Sequence, residues 1–144
     1  MRLLAGLLLA LWLIGGLVLT LQAAHPLAGQ VVDDNLVPFH TLAIYWRNLG
    51  SDFWMRNLFG NLFLLMPLGL LGPIALPALD RWWPIALLAL MYSVAIELIQ
   101  RLVPARSADI DDVIVNVTGA LLGFTCYRFA RRISRGSHDE AASG

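Results

Sequence analysis

The stretch LLAGLLLALWLIGGLVLTL, residues 3–21, decides the class of fold, because it holds no charged side chain over its whole length. A helix of about 20 apolar residues crosses the hydrocarbon core of a bilayer. A cleavable signal peptide is the competing interpretation, but such a peptide has a shorter apolar region and a small-x-small cleavage site. The residues that follow, Gln22-Ala23-Ala24, fit such a site poorly. We therefore predict an uncleaved first membrane span.

Three further apolar stretches repeat this pattern, at about residues 58–76, 84–102 and 112–129. The composition agrees, since 58% of the residues are hydrophobic, 14% are charged and the mean hydropathy is +0.70. A soluble domain of this size carries about 25% charged residues. We expect an all-α integral membrane bundle of four helices that forms one domain over residues 1–135. The small, polar residues 136–144 predict a disordered tail.

The long first loop, residues 22–57, is not simply polar, because aromatic residues are spread through it. Aromatic side chains with a polar edge favour the headgroup zone of a membrane. We expect this loop to be partly interfacial, with a short helix over about residues 38–49. An ordinary loop outside the membrane is the alternative.

The arginine positions predict the orientation, because cytoplasmic loops carry an excess of basic residues. Four spans place both termini on one side, together with six arginines: Arg2, Arg81, Arg128, Arg131, Arg132 and Arg135. The other side has four: Arg47, Arg56, Arg101 and Arg106. We expect both termini in the cytoplasm, and the loop 22–57 and the turn 101–111 on the outside.

Polar residues lie on one face of the third span, where Ser93, Glu97 and Gln100 follow the spacing i, i+4, i+7. A charge inside a span usually faces the protein interior or a water-filled cavity. Glu97 is the only acidic residue well within a span. A perturbed Glu97 could serve as a general acid or base.

The fourth span carries a regular seam of Asp109, Asp112, Asn116, Gly119 and Gly123. The two glycines predict close helix packing, as in small-xxx-small motifs. The acidic end permits two interpretations. Asp109 or Asp111 could cap the helix N-terminus, which is a structural role. Alternatively, Asp109 and Asp112 could join Glu97 as catalytic candidates at an outward-facing site.

The second span adds Asn57 and Asn61 on one helix face, at the same outer level. They act either as ligand-binding groups or as polar contacts between helices. Arg106, in the turn between the third and fourth spans, is the natural counter-charge for Glu97 or an aspartate. The candidate binding residues are therefore Asn57, Asn61, Gln100, Arg106 and Asn116.

The order of these motifs resembles the VanZ-like family of bacterial membrane proteins over roughly residues 31–124. The resemblance rests on Asn35-Leu-Val-Pro38-Phe39, Asn57-x-x-x-Asn61, Met66-Pro67-Leu68-Gly69, Ser93-x-x-x-Glu97-x-x-Gln100 and the segment from Arg106 to Gly123. It implies a multi-pass protein of the bacterial plasma membrane and adds Asn35 to the candidate binding residues. The namesake of the family is associated with resistance to the glycopeptide teicoplanin.

Three functions stay open at this point. The first is binding or processing of an anionic, lipid-linked envelope intermediate, with Arg106 on a phosphate and the carboxylates holding Mg²⁺ or Ca²⁺. The second is a non-enzymatic membrane module that binds a partner. The third is proton or ion transport. The sequence shows no zinc-ligand spacing and no basic helix face typical of nucleic-acid binding, and its single cysteine, Cys126, excludes an intrachain disulfide.

Overall fold

The computed structural model describes residues 1–22, 34–102 and 107–142. These residues form five α-helices and one 3₁₀ turn, and no strand occurs among them. The all-α class predicted from the sequence is confirmed. The helices are α1 (Arg2–Gln22), α2 (His40–Arg47), α3 (Asp52–Ala75), α4 (Trp82–Gln100) and α5 (Ile110–Ala142), with the 3₁₀ turn at Pro77–Leu79.

Four of the described helices are long and apolar enough to cross a membrane: Arg2–Thr20, Asp52–Ala75, Trp82–Gln100 and Ile110–Ser134. Their outward faces carry large exposed hydrophobic side chains, among them Leu3, Leu11, Leu87 and Leu98. Such a surface is stable only against lipid. The chain is therefore an integral membrane bundle of four spans.

Two helices extend beyond the predicted spans. Helix α3 begins at Asp52 rather than near residue 58, and α5 continues to Ala142 rather than ending near residue 129. Helix α5 thus enters the segment 136–144, for which the sequence predicts a disordered polar tail; the disorder of that tail stays a prediction. Hydropathy marks only the apolar part of a helix, and helical backbone can continue through polar residues; no proline lies between residues 110 and 142.

Helices α3 and α5 form the central pair of the bundle, and glycines bring their backbones together. A Cβ atom on Gly119 would lie 1.9 Å from the carbonyl oxygen of Leu62, and one on Gly123 would lie 2.0 Å from that of Met66. Likewise, a Cβ atom on Gly69 of α3 would lie 1.8 Å from the carbonyl oxygen of Ala120. The glycines of the predicted seam therefore contact the backbone of α3, an approach that any side chain would prevent.

The remaining spans pack against this pair, α1 on α3 and α4 on α5. Two aromatic donors fix α1: Trp12 Nε1 donates to the carbonyl oxygen of Leu64 at 2.8 Å, and the Tyr92 hydroxyl donates to that of Leu13 at 2.5 Å. Since consecutive spans run in opposite directions, the ends of α1 and α4 meet the beginnings of α3 and α5. The polar residues of the four spans gather at this end.

Candidate functional site

A short backbone pairing ties the end of the first loop to the start of α5. Asn35 N donates to the carbonyl oxygen of Ala108, and Ile110 N donates to that of Asn35, both at 2.9 Å. Asp34 adds two contacts: its carboxylate accepts from Ala108 N at 2.8 Å and pairs with Arg101 at 2.5 Å. Residues 34–42 are thereby held over the end of the bundle.

The Asp109 carboxylate closes this attachment. One oxygen accepts from Asn35 Nδ2 at 2.8 Å and from Asp111 N at 2.9 Å, and the other accepts from the Thr41 hydroxyl at 2.6 Å. The bond from Asp111 N makes Asp109 the N-terminal cap of α5. Three donors therefore occupy a carboxylate that the sequence offered as a catalytic candidate, and Asn35, a candidate binding residue, is one of its partners.

Asp111 anchors α2. It is fully buried, and its carboxylate accepts from Phe39 N at 2.5 Å and from Leu42 N at 3.0 Å. Both donors belong to the N-terminal end of α2, where a negative charge is stabilised by the helix dipole. Phe39 adopts a left-handed conformation, with φ of 68°, as the chain enters the helix. The carboxylate thus holds α2 in place across the start of α5.

Glu97 lies behind these groups, buried between α4 and α5. Its Oε2 accepts from Asp109 N at 2.7 Å, so this carboxylate also satisfies a backbone donor at the start of α5. The sequence predicted Arg106 as its counter-charge, and Arg106 lies outside the described residues. Among the residues that the structure describes, the ion pair at this end joins Arg101 to Asp34.

Asp112 lines a cavity together with Asp109, but it differs from Asp109 in its hydrogen bonding. Asn61 hydrogen-bonds to the Asp112 carboxylate, yet Asp112 Oδ1 is buried and accepts no hydrogen bond from the residues that the structure describes. The negative charges of Glu97, Asp109 and Asp111 act on it as well. A buried acceptor without a donor is costly, so such a group in a native protein calls for a further partner, such as a bound water molecule, an ion or a ligand.

Tyr45 and Asn57 flank Asp112 on the cavity wall. Burial, followed by the negative charges of Asp112, Asp109 and Asp111, raises the pKa of the Tyr45 phenol, and a hydrogen bond with Asn57 only partly opposes this. The phenol therefore keeps its proton at physiological pH and can act as a donor beside the carboxylates. From its sequence position, Tyr45 is one aromatic residue of the first loop, and its place at the cavity depends on the α2–α5 contact.

One turn deeper in the membrane, Asn116 donates to the hydroxyl of Ser93 at 2.8 Å. Both side chains are fully buried, and within the described part of the chain the Oδ1 of Asn116 accepts no hydrogen bond. Below this pair, the core between α3, α4 and α5 is apolar, with Leu65, Ile85, Ala89 and Ala120. The buried polar groups described by the structure therefore reach about the middle of the bundle and stop there.

The cavity itself has a volume of about 770 Å³. Its polar wall contains Asp112 and Asp109 with hydrogen-bonding side chains around them: Asn35, Thr41, Tyr45, Asn57, Asn61 and Gln100. Its other wall is apolar and belongs to α1 and α3, with Leu11, Leu19, Phe63 and Leu64. Arg56 supplies a cationic side chain at the rim. One cavity thus presents carboxylates, neutral donors, a cation and a hydrocarbon-like surface.

No group of three or more His, Cys, Asp or Glu side chains within the described residues is arranged to hold a metal ion. The acidic residues are close in sequence, but backbone and side-chain donors occupy Asp109 and Asp111. Binding of Mg²⁺ or Ca²⁺ stays a prediction from the sequence.

These features define a four-span α-helical membrane protein with an amphiphilic cavity at one end of the bundle. The family model VanZ/LLP1 matches residues 4–131, and the chain belongs to this family. Neither a curated protein nor a solved structure matches the chain.

Proposed function

We propose that the protein binds a lipid-linked intermediate of the bacterial envelope, with the polar headgroup of that molecule at the Asp112 end of the cavity. The single observation that carries the proposal is the unpartnered Asp112 Oδ1 on the wall of this cavity. Pockets of about 300–1,000 Å³ with a few polar groups on an apolar surface are typical ligand sites.

The polar wall fits a headgroup that carries both hydrogen-bond donors and negative charge. Sugar hydroxyls or amide N–H groups would donate to Asp112, and the Tyr45 phenol would donate to a headgroup oxygen. Arg56 at the rim suits a phosphate, because its guanidinium offers a fork of donors. A phosphate placed directly against Asp109 and Asp112 would be repelled, so the charged group belongs on the Arg56 side.

Transport of protons or ions has less support from the geometry. A pathway through the bundle needs polar groups along its length, whereas the described core below Ser93 and Asn116 is apolar. The polar groups that line the cavity lie at one end of the described bundle. A binding site reached from that end agrees with this arrangement.

Binding in place of catalysis also agrees with the arrangement of the acidic residues. Of the three candidate catalytic residues, Glu97 and Asp109 accept bonds from the start of α5 or from residues 34–42, which makes them positioning groups. Of these three residues, Asp112 is the one with a carboxyl oxygen that accepts no hydrogen bond from the described residues. On this proposal, the teicoplanin resistance associated with the family namesake would result from altered access to a lipid-linked precursor.

The test is binding of a fluorescent polyprenyl-diphosphate sugar to the purified protein in nanodiscs. Asp112→Asn replaces one carboxyl oxygen with an amide donor, so the affinity should fall about tenfold or more. Asp52→Asn is the matched control, because this carboxylate is exposed at the start of α3 and does not line the cavity. A folded Asp112→Asn protein that binds the probe as the wild type does, and retains the wild-type effect on teicoplanin susceptibility, would overturn the proposal.

A further inference from the structure

The apolar half of the cavity is a groove between two membrane spans. Leu11, Gly15 and Leu19 follow the spacing i, i+4, i+8 and so share one face of α1. Gly60 and Phe63 supply the facing wall on α3. The missing side chains at Gly15 and Gly60 create the space, because a Cβ atom at either position would have no neighbour within 4 Å.

The groove has a closed lower end. There, Trp12 donates to the carbonyl oxygen of Leu64, and the Leu64 side chain would lie 2.4 Å from a Cβ atom on Gly16. Helix α1 therefore contacts α3 at this level. The two adjacent glycines have opposite surroundings: Gly16 permits the contact, and Gly15 faces the open groove.

The depth of the groove matches one leaflet of a bilayer. From Leu11 to Thr20 an α-helix rises about 14 Å, which is about half of a hydrocarbon core of about 30 Å. The walls also reach the outer surface of the spans, since Leu11, Leu19 and Phe63 are 67%, 69% and 51% exposed. The groove therefore opens sideways, towards the acyl chains of that leaflet.

We propose that this groove holds the single polyprenyl chain of the molecule whose headgroup lies at Asp112, and that the chain enters sideways from the bilayer. This inference rests on the proposed function. The polar and apolar walls belong to one continuous cavity, so headgroup and tail belong to one molecule. Bulk phospholipid is a poorer occupant, because it carries two chains and already covers the exposed faces of the spans.

The test fills the groove without disturbing the helix contact. Gly15→Leu places a side chain in the open space, while Ala10→Leu adds similar bulk to an exposed position of α1 outside the cavity lining. The probe is a polyprenyl-diphosphate sugar with a diazirine in its chain, in nanodiscs of phosphatidylethanolamine and phosphatidylglycerol. We expect about tenfold less crosslinking to Gly15→Leu than to the wild type, since about two methylene groups of the polyprenyl chain lose their contacts. Crosslinking to Ala10→Leu should equal that of the wild type.

Two further measurements separate the possible failures. A short-chain analogue with the same diphosphate-sugar headgroup should bind Gly15→Leu as it binds the wild type, and should bind Asp112→Asn more weakly. If Asp112→Asn weakens binding but Gly15→Leu does not reduce crosslinking, the headgroup site stands and the groove proposal is wrong. If neither variant has an effect, both proposals are wrong. Equal crosslinking by a diazirine-bearing diacyl phospholipid in the wild type would also overturn the polyprenyl assignment.

Discussion

At the scale of single residues, the segment Asp109-Ile110-Asp111-Asp112 shows how neighbouring carboxylates acquire different tasks. Successive residues of a helix point about 100° apart. Asp111 therefore faces α2, and Asp112 faces the cavity, although the two are adjacent in the chain. Asp109 precedes the helix and caps it. One turn of helix thus provides a cap, an anchor and an open acceptor.

Replacing the anchor should destabilise the fold. In Asp111→Asn an amide group replaces one of two acceptor oxygens that receive backbone N–H groups, so one buried donor loses its partner. We expect a loss of about 2–3 kcal/mol and a melting temperature lower by about 5–10 °C. Thermal unfolding in detergent measures it. An unchanged melting temperature would mean that α2 is held by other contacts.

Replacing Asp112, in contrast, should not destabilise the fold. Asp112→Asn relieves the repulsion from Glu97, Asp109 and Asp111, so the melting temperature should stay the same or rise, while binding weakens. Thermal unfolding and the binding assay, both carried out on Asp112→Asn, test these two expectations. Loss of stability together with loss of binding would identify Asp112 as a structural group instead.

At the scale of helices, the contact between α3 and α5 depends on positions that cannot accept a side chain. In Gly119→Ala the new Cβ would collide with the backbone oxygen of Leu62, and no rotamer change relieves a backbone clash. We expect a loss of about 1–3 kcal/mol or more in unfolding measurements. Gly60→Ala is the matched control on α3, because its Cβ meets open space and the substitution should not destabilise the helix.

At the opposite end of the bundle, ion pairs join the segment after the 3₁₀ turn to α5. Asp80, after the 3₁₀ turn, accepts from Arg128 at 3.3 Å and from Arg131, which also donates to the Tyr127 hydroxyl at 2.9 Å. Partial burial opposes ionisation, but the two arginines prevail and lower the pKa of Asp80 below its ordinary value of 3.8. Because the pKa of Asp80 is lower in the folded state, the ion pair stabilises the fold at pH values above 3.8. This stabilisation is lost as the pH falls below 3.8 and through the lowered pKa.

Asp80→Asn should therefore destabilise the protein at neutral pH and approach the wild type below about pH 3.8. The difference at neutral pH should be under about 1 kcal/mol, because the pair is partly exposed to solvent. Melting temperatures of both proteins across this pH range test it. A difference independent of pH would mean that Asp80 acts through packing alone.

At the scale of the whole molecule, hydropathy was sufficient to predict the spans and insufficient to predict the site. A span must be apolar over its length to lie in lipid, so its sequence alone reveals it. The buried Ser93 and Glu97 were foreseeable for the same reason, since polar groups avoid lipid. The roles of Asp109 and Asp111 depend on Asn35 and residues 39–42, which are about 70 positions away. No helical period encodes that contact, which is why Tyr45 was not assigned to the site.

The orientation of the bundle decides whether the cavity lies in the outer or the inner leaflet. The arginine-rich end contains Arg81, Arg128 and Arg131, and the cavity lies at the other end. Because basic residues stay in the cytoplasm, we expect the cavity to face outward. In a Cys126→Ser background, a membrane-impermeant maleimide should label Gly50→Cys in intact cells and Ala78→Cys only after permeabilisation, since both positions are exposed. Labelling of both in intact cells would contradict four spans, and the reverse pattern would place the lipid site in the inner leaflet.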